Sequence, residues 1–177
     1  NNKLNIFGPI MFVQESGKIK INNVIIENGQ AIKIHGRELS GVINIIDSEA
    51  DIKSLFLKNT YSEDAINIVN SNANLDKIYI ENTQSDALDV DFSNINIGEV
   101  SCKNITNDCL DFSNSNGNVD YVYAEIIGDK VLSVGEKSFI KFKSVTASKA
   151  GIGVAVKDAS NVTIQNLSLK NTDLEIS

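Results

Sequence analysis

The chain repeats itself every 22 residues, and this period restricts its fold more than any other feature. Stepping by 22 from Ile66 gives Leu88, Leu110, Leu132, Val154 and Ile176, a large aliphatic at every rung. Two positions further on, Ile68, Val90, Phe112, Val134 and Val156 keep the same step. The position between them reads Asn67, Asp89, Asp111, Ser133, Ala155 and Ser177. Apolar, small or polar, apolar is the period of a strand with one dry face and one wet face.

A second wall follows the same rhythm. Leu75, Ile97, Val119, Ile140 and Val162 step by 22, 22, 21 and 22. Ile78, Val100, Val122, Val145 and Leu167 form another file, as do Ile80, Cys102, Ala124, Ala147 and Leu169. Asn59, Asn82, Asn104 and Asn171 share one phase, Ile126 and Lys149 fill its missing rungs, and Asn28 is its earliest member. Asn tolerates the left-handed backbone of a sharp bend, and its amides can hydrogen-bond from coil to coil. These files predict a β-solenoid of about six or seven coils, paired in parallel and roughly 30–35 Å long. No window shows the 3.6-residue period of a helix.

Composition agrees. One Pro in 177 residues, with many Ile, Val, Asn, Ser and Asp, is a vocabulary of strands and turns. The net charge of -7 argues against nucleic-acid binding, which requires clustered Lys and Arg, and it permits cations. No apolar run reaches the roughly 20 residues that span a bilayer, so membrane insertion is not expected. With a single His, His35, and a single Arg, Arg37, catalytic chemistry would fall to carboxylates, Lys and Tyr.

The whole of 1–177 reads as one β-helix domain, expected to be a fragment of a longer protein because the chain begins without Met and ends in mid-strand. Residues 36–51 read as an irregular insertion in which Val42–Ile46 is an extra strand-like run, since Asn28 to Asn59 is about nine residues longer than one period. His35 and Arg37 at its lip read as surface residues. Cys102 falls on an inward phase and Cys109 on an outward one, so both are expected as free thiols.

The Asn file and the 22-residue step, over roughly residues 17–177, resemble the right-handed parallel β-helix superfamily, the pectate-lyase-like proteins. The phrases "SDALDVDFS", "NDCLDFSNS", "GDKVLSVGEKS" and "GIGVAVKDASNVTI" resemble a bacterial set of Asp-rich β-helix repeat proteins associated with surface or polysaccharide-linked multidomain chains. The resemblance implies an all-β, right-handed parallel β-helix at a cell surface or secreted, with flanking domains or self-association as partners. Many members of the superfamily bind or cleave acidic polysaccharides on an outward face. The polygalacturonase type implies a set of Asn-Thr-Asp, Asp-Asp, Gly-His-Gly and Arg-Ile-Lys segments; the set is not present, since Asn-Thr-Asp occurs only at 171–173 and the other three do not occur. The pectate-lyase type implies an Asp cluster holding calcium and an Arg or Lys base; the cluster is present, and the sole Arg37 lies in a different coil.

Asp89 and Asp111 occupy one outward phase on neighbouring coils, about 5 Å apart, with Asp91 two residues along. They have three readings: solvated or hydrogen-bonded stack residues, a Ca²⁺ site formed by Asp89, Asp91 and Asp111, or a catalytic carboxylate pair. Lys130 either neutralises the acidic file or serves as a base beside it. Asp64, Asp86 and Asp108 read as turn residues bonded to local backbone N–H groups. Tyr79 and Tyr123 share an outward phase with Ser101 between them, a candidate platform for carbohydrate, with Asp91 a further ligand-binding candidate. The function expected is a non-catalytic scaffold or carbohydrate-binding module. The alternatives are a lyase or hydrolase acting on an acidic glycan through Asp89, Asp111 and Lys130, and an oligomeric fibre segment.

Overall fold

The computed structural model describes residues 10–13, 18–31, 33–34 and 37–177. His35 lies outside the described residues, as does the side chain of Arg37. Every regular element among the described residues is a strand. The first coil contains β1 (Ile10–Val13), β2 (Lys18–Ile21) and β3 (Val24–Glu27), followed by a small antiparallel pair, β4 (Lys33–Ile34) and β5 (Arg37–Glu38). The next coils are β6 (Gly41–Ile46) with β7 (Glu49–Thr60), β8 (Asp64–Val69) with β9 (Asn72–Thr83), and β10 (Asp86–Asp91) with β11 (Asn94–Ile105). β12 (Leu110–Ser113), β13 (Asn116–Gly135), β14 (Phe139–Val156) and β15 (Asn161–Ile176) complete the rod. Thirteen strands join one sheet, and each long strand pairs in parallel with its counterpart in the neighbouring coil. The molecule is a parallel β-solenoid of about 6 turns.

Each coil has three walls. The first runs through Ile43, Ile66, Leu88, Leu110, Leu132, Val154 and Ile176, register partners in unbroken sequence. A corner at Asp47, Asn70, Phe92 and Asn114, all with positive φ, leads to the second wall. A second bend, where Asp76, Gly98 and Asp120 drop out of the ladder, leads to the third. Gly98 is required there: a Cβ would lie 2.6 Å from the Asp76 carbonyl oxygen. The last corner is the predicted Asn file. Asn28, Asn59, Asn82, Asn104, Ile126, Lys149 and Asn171 all have φ between 53° and 61°.

The Asn corner is also a ladder. The amide of Asn59 donates to Asn28 at 3.2 Å, that of Asn82 to Asn59 at 2.9 Å and that of Asn104 to Asn82 at 3.0 Å. The opposite corner holds a file of serines. Ser48, Ser71, Ser93, Ser115 and Ser138 are buried, and each accepts, or has its own N–H accepted, along one chain of bonds. The N–H groups of Ser71, Ser93 and Ser115 donate to the hydroxyls of Ser93, Ser115 and Ser138 at 2.9–3.0 Å. Each hydroxyl in turn donates to a carbonyl just before the corner, as Ser93 does to Asp91 at 2.7 Å. A sharp turn strips backbone groups of sheet partners, and the hydroxyls restore them.

Three expectations are corrected. Val42–Ile46 is no extra run: β6 is a regular rung of the first wall, paired with both β1 and β8. The extra residues instead form the β4–β5 hairpin before it, which leaves the neighbouring rungs in register. Ile140 does not stand above Val119; Phe142 does, and the file reads Leu75, Ile97, Val119, Phe142, Ile164. The corner before β14 has one residue more than the corner before β13, with Glu136 and Lys137 both left-handed. Two inward files lie two residues apart on this wall, so aliphatic spacing alone does not tell them apart.

The third correction concerns the cysteines. Cys102 and Cys109 form a disulfide with Cα atoms 5.9 Å apart, spanning the Asn104 corner. Cys109 precedes the strand, so strand alternation does not extend to it. It is buried in register with neighbours in a file with Ala87, rather than outward.

Candidate functional site

The third wall carries an aromatic file on its outer surface. Ile25, Phe56, Tyr79, Ser101, Tyr123, Thr146 and Ser168 follow one another in register. The rings of Phe56 and Tyr79 stack with centroids 4.7 Å apart and planes 3° apart, the rung spacing of a sheet. Ser101 then interrupts the file, and Tyr123 resumes it. Tyr121, two residues earlier on the same strand, lies parallel to Tyr123 with centroids 6.5 Å apart, and the Lys143 ammonium sits 5.1 Å from the centre of the Tyr121 ring.

A groove of about 370 Å³ opens at the interruption, lined among others by Tyr79, Ser101, Lys103, Tyr123, Thr146 and Lys170. Beside the aromatic file runs a charged one, Lys58, Glu81, Lys103, Glu125, Ser148 and Lys170. Lys58 pairs with Glu81 at 3.2 Å and Lys103 with Glu125 at 3.6 Å. The Tyr79 hydroxyl donates to Glu81 at 3.4 Å. Burial first, then the Glu81 charge, holds the Tyr79 phenol above its ordinary pKa. Stacking surface with hydroxyls, ammonium and carboxylate at its rim is the chemistry of a saccharide site.

The acidic file lies on the first wall. Asn67, Asp89, Asp111 and Ser133 are register partners, and Asn67 donates to Asp89 at 3.2 Å. This outward file is wet only in its middle: Asn67 is 7% exposed and Ser133 is fully buried, while Asp89 and Asp111 are partly exposed. Small side chains stacked about 4.8 Å apart cover one another and show solvent only their tips. Burial, joined by the charges of Asp64, Asp91, Asp111 and Asp86, pushes Asp89 up to about 8. Burial likewise lifts Asp91, helped by Asp111.

Asp64, Asp86 and Asp108 stand in one file as expected; Asp64 accepts locally, from the Asn67 side-chain amide at 3.4 Å, and the other two are bonded by the next coil. Asp86 accepts from the Asp108 N–H at 2.7 Å, and Asp108 from the Lys130 N–H at 2.9 Å, each reaching one coil onward. Burial raises Asp64 to about 7 against the hydrogen bond from Ser40, and raises Asp108 to about 6 against the bond and charge of Lys130. Asp86 is raised by burial as well.

Lys130 is held by two carboxylates, Asp108 at 3.3 Å and Asp129. Burial works against its ammonium, but the bond with Asp129 and the charges of Asp108 and Asp129 outweigh burial and raise its pKa. Among the described residues, no group of three or more His, Cys, Asp or Glu side chains is arranged to hold a metal ion; Asp89, Asp91 and Asp111 share a wall without forming one.

The fold thus separates the predicted candidates. Asp89, Asp91, Asp111 and Lys130 belong to the first wall, Tyr79 and Tyr123 to the third. Sequence reasoning missed Phe56, Lys103, Glu125 and Lys170 as neighbours of the tyrosines, although each lies 22 or 23 residues from a partner in its file. No helix among the described residues is long and apolar enough to cross a membrane. No protein-family model, curated protein or solved structure matches this chain.

Proposed function

We propose that this chain is a non-catalytic β-helix module of the pectate-lyase-like kind, a rigid rod that binds or presents carbohydrate within a surface or secreted protein. The observation that carries this reading is the open, ring-lined groove between Tyr79 and Tyr123. The positions of the carboxylates support it: a sugar held at the tyrosines lies on a different wall from Asp89 and Asp111. So does Lys130, because a base must be neutral and this amine is ion-paired and biased toward its charged form. The Cys102–Cys109 bridge favours an oxidising setting. Affinity electrophoresis through gels containing a panel of polysaccharides tests the proposal. Retardation by at least one polysaccharide, with no new reducing ends and no ultraviolet-absorbing unsaturated product, is the expected result; product release would displace it.

One observation favours a second reading. Asp89, pushed up to about 8, stands next to Asp111, about 4.8 Å away along the rod. A protonated acid beside a second carboxyl group is the pairing of a retaining glycosidase. That reading requires reducing ends released from an acidic glycan, and their loss in both Asp89→Asn and Asp111→Asn.

A further inference from the structure

We infer that the Ser101 rung is a one-ring slot, which takes a single saturated sugar ring flat between Tyr79 and Tyr123 from a glycan that crosses the rod. This rests on the carbohydrate reading and adds to it the size of the ligand and its direction.

Ser101 is the register partner of Tyr79 on one side and Tyr123 on the other. Phe56 covers one face of the Tyr79 ring, so the other face is turned toward the Ser101 rung. The Phe56–Tyr79 spacing of 4.7 Å shows that rings on adjacent rungs keep the backbone spacing. Tyr79 and Tyr123 are two rungs apart, about 9.6 Å. Carbon atoms touch at about 3.5–4.0 Å, so half a ring thickness on each side leaves a gap of about 6 Å. A flat aromatic ring, about 3.5 Å thick by the same contact, would leave a void. A saturated ring, with hydrogens and hydroxyls on both faces, is thicker and fills it. The missing side chain at position 101 thus has the shape of a sugar.

The rim fits as well. Lys103 lies two residues along the same face, with Glu81 and Glu125 as its register partners. Glu99 lies two residues before Ser101. A ring pushed in edgewise meets the Ser101 hydroxyl at the floor and an ammonium and carboxylates at the sides, donors and acceptors for its hydroxyl groups. A linear glycan extends roughly in the plane of its rings. Here that plane lies across the rod, so the chain follows the strands and leaves the wall after a few units.

Ligand-observed NMR tests this with methyl glycosides of glucose, galactose, mannose and N-acetylglucosamine and the linear oligosaccharides of each. At least one series should bind, with affinity reaching a plateau by about the trisaccharide. S101Y places a ring in the gap. It should melt no lower than the parent chain and bind at least tenfold more weakly, with S101A, which loses the floor hydroxyl but keeps the gap open, falling between the two. Y123A, which removes one side of the slot, should also lose about tenfold, so the test survives if S101Y does not fold. Binding that S101Y or Y123A retains, or affinity that keeps climbing beyond about six sugars, overturns the slot while leaving the carbohydrate reading standing. No binding to any of these sugars overturns the slot, and the absence of any polysaccharide retardation overturns the reading beneath it.

Discussion

Asp89 stacks one rung from Asp111 in exact parallel register, and its carboxyl accepts a hydrogen bond from Asn67 on the opposite side. The pair is adjacent because the backbone winds, and the resulting crowding of charge has a cost that depends on pH. Asp108, Asp64 and Asp89 are raised to about 6, 7 and 8, against about 3.9 in an unfolded chain. The folded state therefore keeps protons that the unfolded chain has released. Stability is fully present below about pH 4 and is lost as pH rises through about 6 to 8. Calorimetry between about pH 4.5 and 8.5 should show Tm falling with pH, and Asp89→Asn should raise Tm near pH 8.5 and leave it unchanged near pH 4.5. A Tm that climbs across this window would contradict the assignment.

Ile126 occupies a corner position at φ 61° that five Asn residues fill elsewhere, and its side chain is 41% exposed. A β-branched residue is strained in that region, by about 1–2 kcal/mol. Ile126→Asn relieves the strain and gives the Asn104 amide a further neighbour. It should raise Tm by about 2–4 °C. Asn82→Ala should do the reverse: it loses bonds to Asn59 and Asn104 at 2.9 and 3.0 Å and keeps the left-handed corner. Its cost should be about 2 kcal/mol, with Asn82→Gly in between, as measured by urea unfolding.

Two buried serines should respond in opposite ways. Ser115 accepts from the Ser93 N–H at 3.0 Å and donates to the Ser113 carbonyl at 2.9 Å. Ser115→Ala leaves a buried N–H unpaired, at about 1–3 kcal/mol. The Ser133 hydroxyl is buried without a partner among the described residues, so Ser133→Ala should be neutral or stabilising. Thermal melts of the two variants give the comparison directly.

The disulfide closes a short loop, from Cys102 to Cys109. Constraint of the unfolded chain by a loop of that size contributes about 2.5 kcal/mol. Reduction, or the paired change of both residues to Ser, should lower Tm by several degrees without changing the β-rich circular dichroism spectrum below the transition.

The files of large aliphatics were legible from spacing alone because each coil must bury the same wall at the same height. The left-handed Asn corner was legible for a related reason, since few residue types tolerate it. The Ser48–Ser138 file was equally periodic, yet serine is common at turns, and its period carried no signal of burial. Spacing failed where Phe142 rather than Ile140 continued a file, because a corner gained one residue. It failed at Cys109, where alternation was extended past the end of a strand. The candidate site was legible only in pieces: Tyr79, Ser101 and Tyr123 were found as a phase, but the stacking of Phe56 under Tyr79 and the charged file beside it depend on how three walls close around the core.

The most direct test of the account is titration calorimetry with whichever glycan the chain retains, comparing Tyr79→Ala/Tyr123→Ala with Asp89→Asn/Asp111→Asn. The account predicts that the tyrosine pair abolishes binding and the aspartate pair leaves it unaltered. Loss of binding in the aspartate pair, with the tyrosine pair still binding, would place the ligand on the first wall and contradict it.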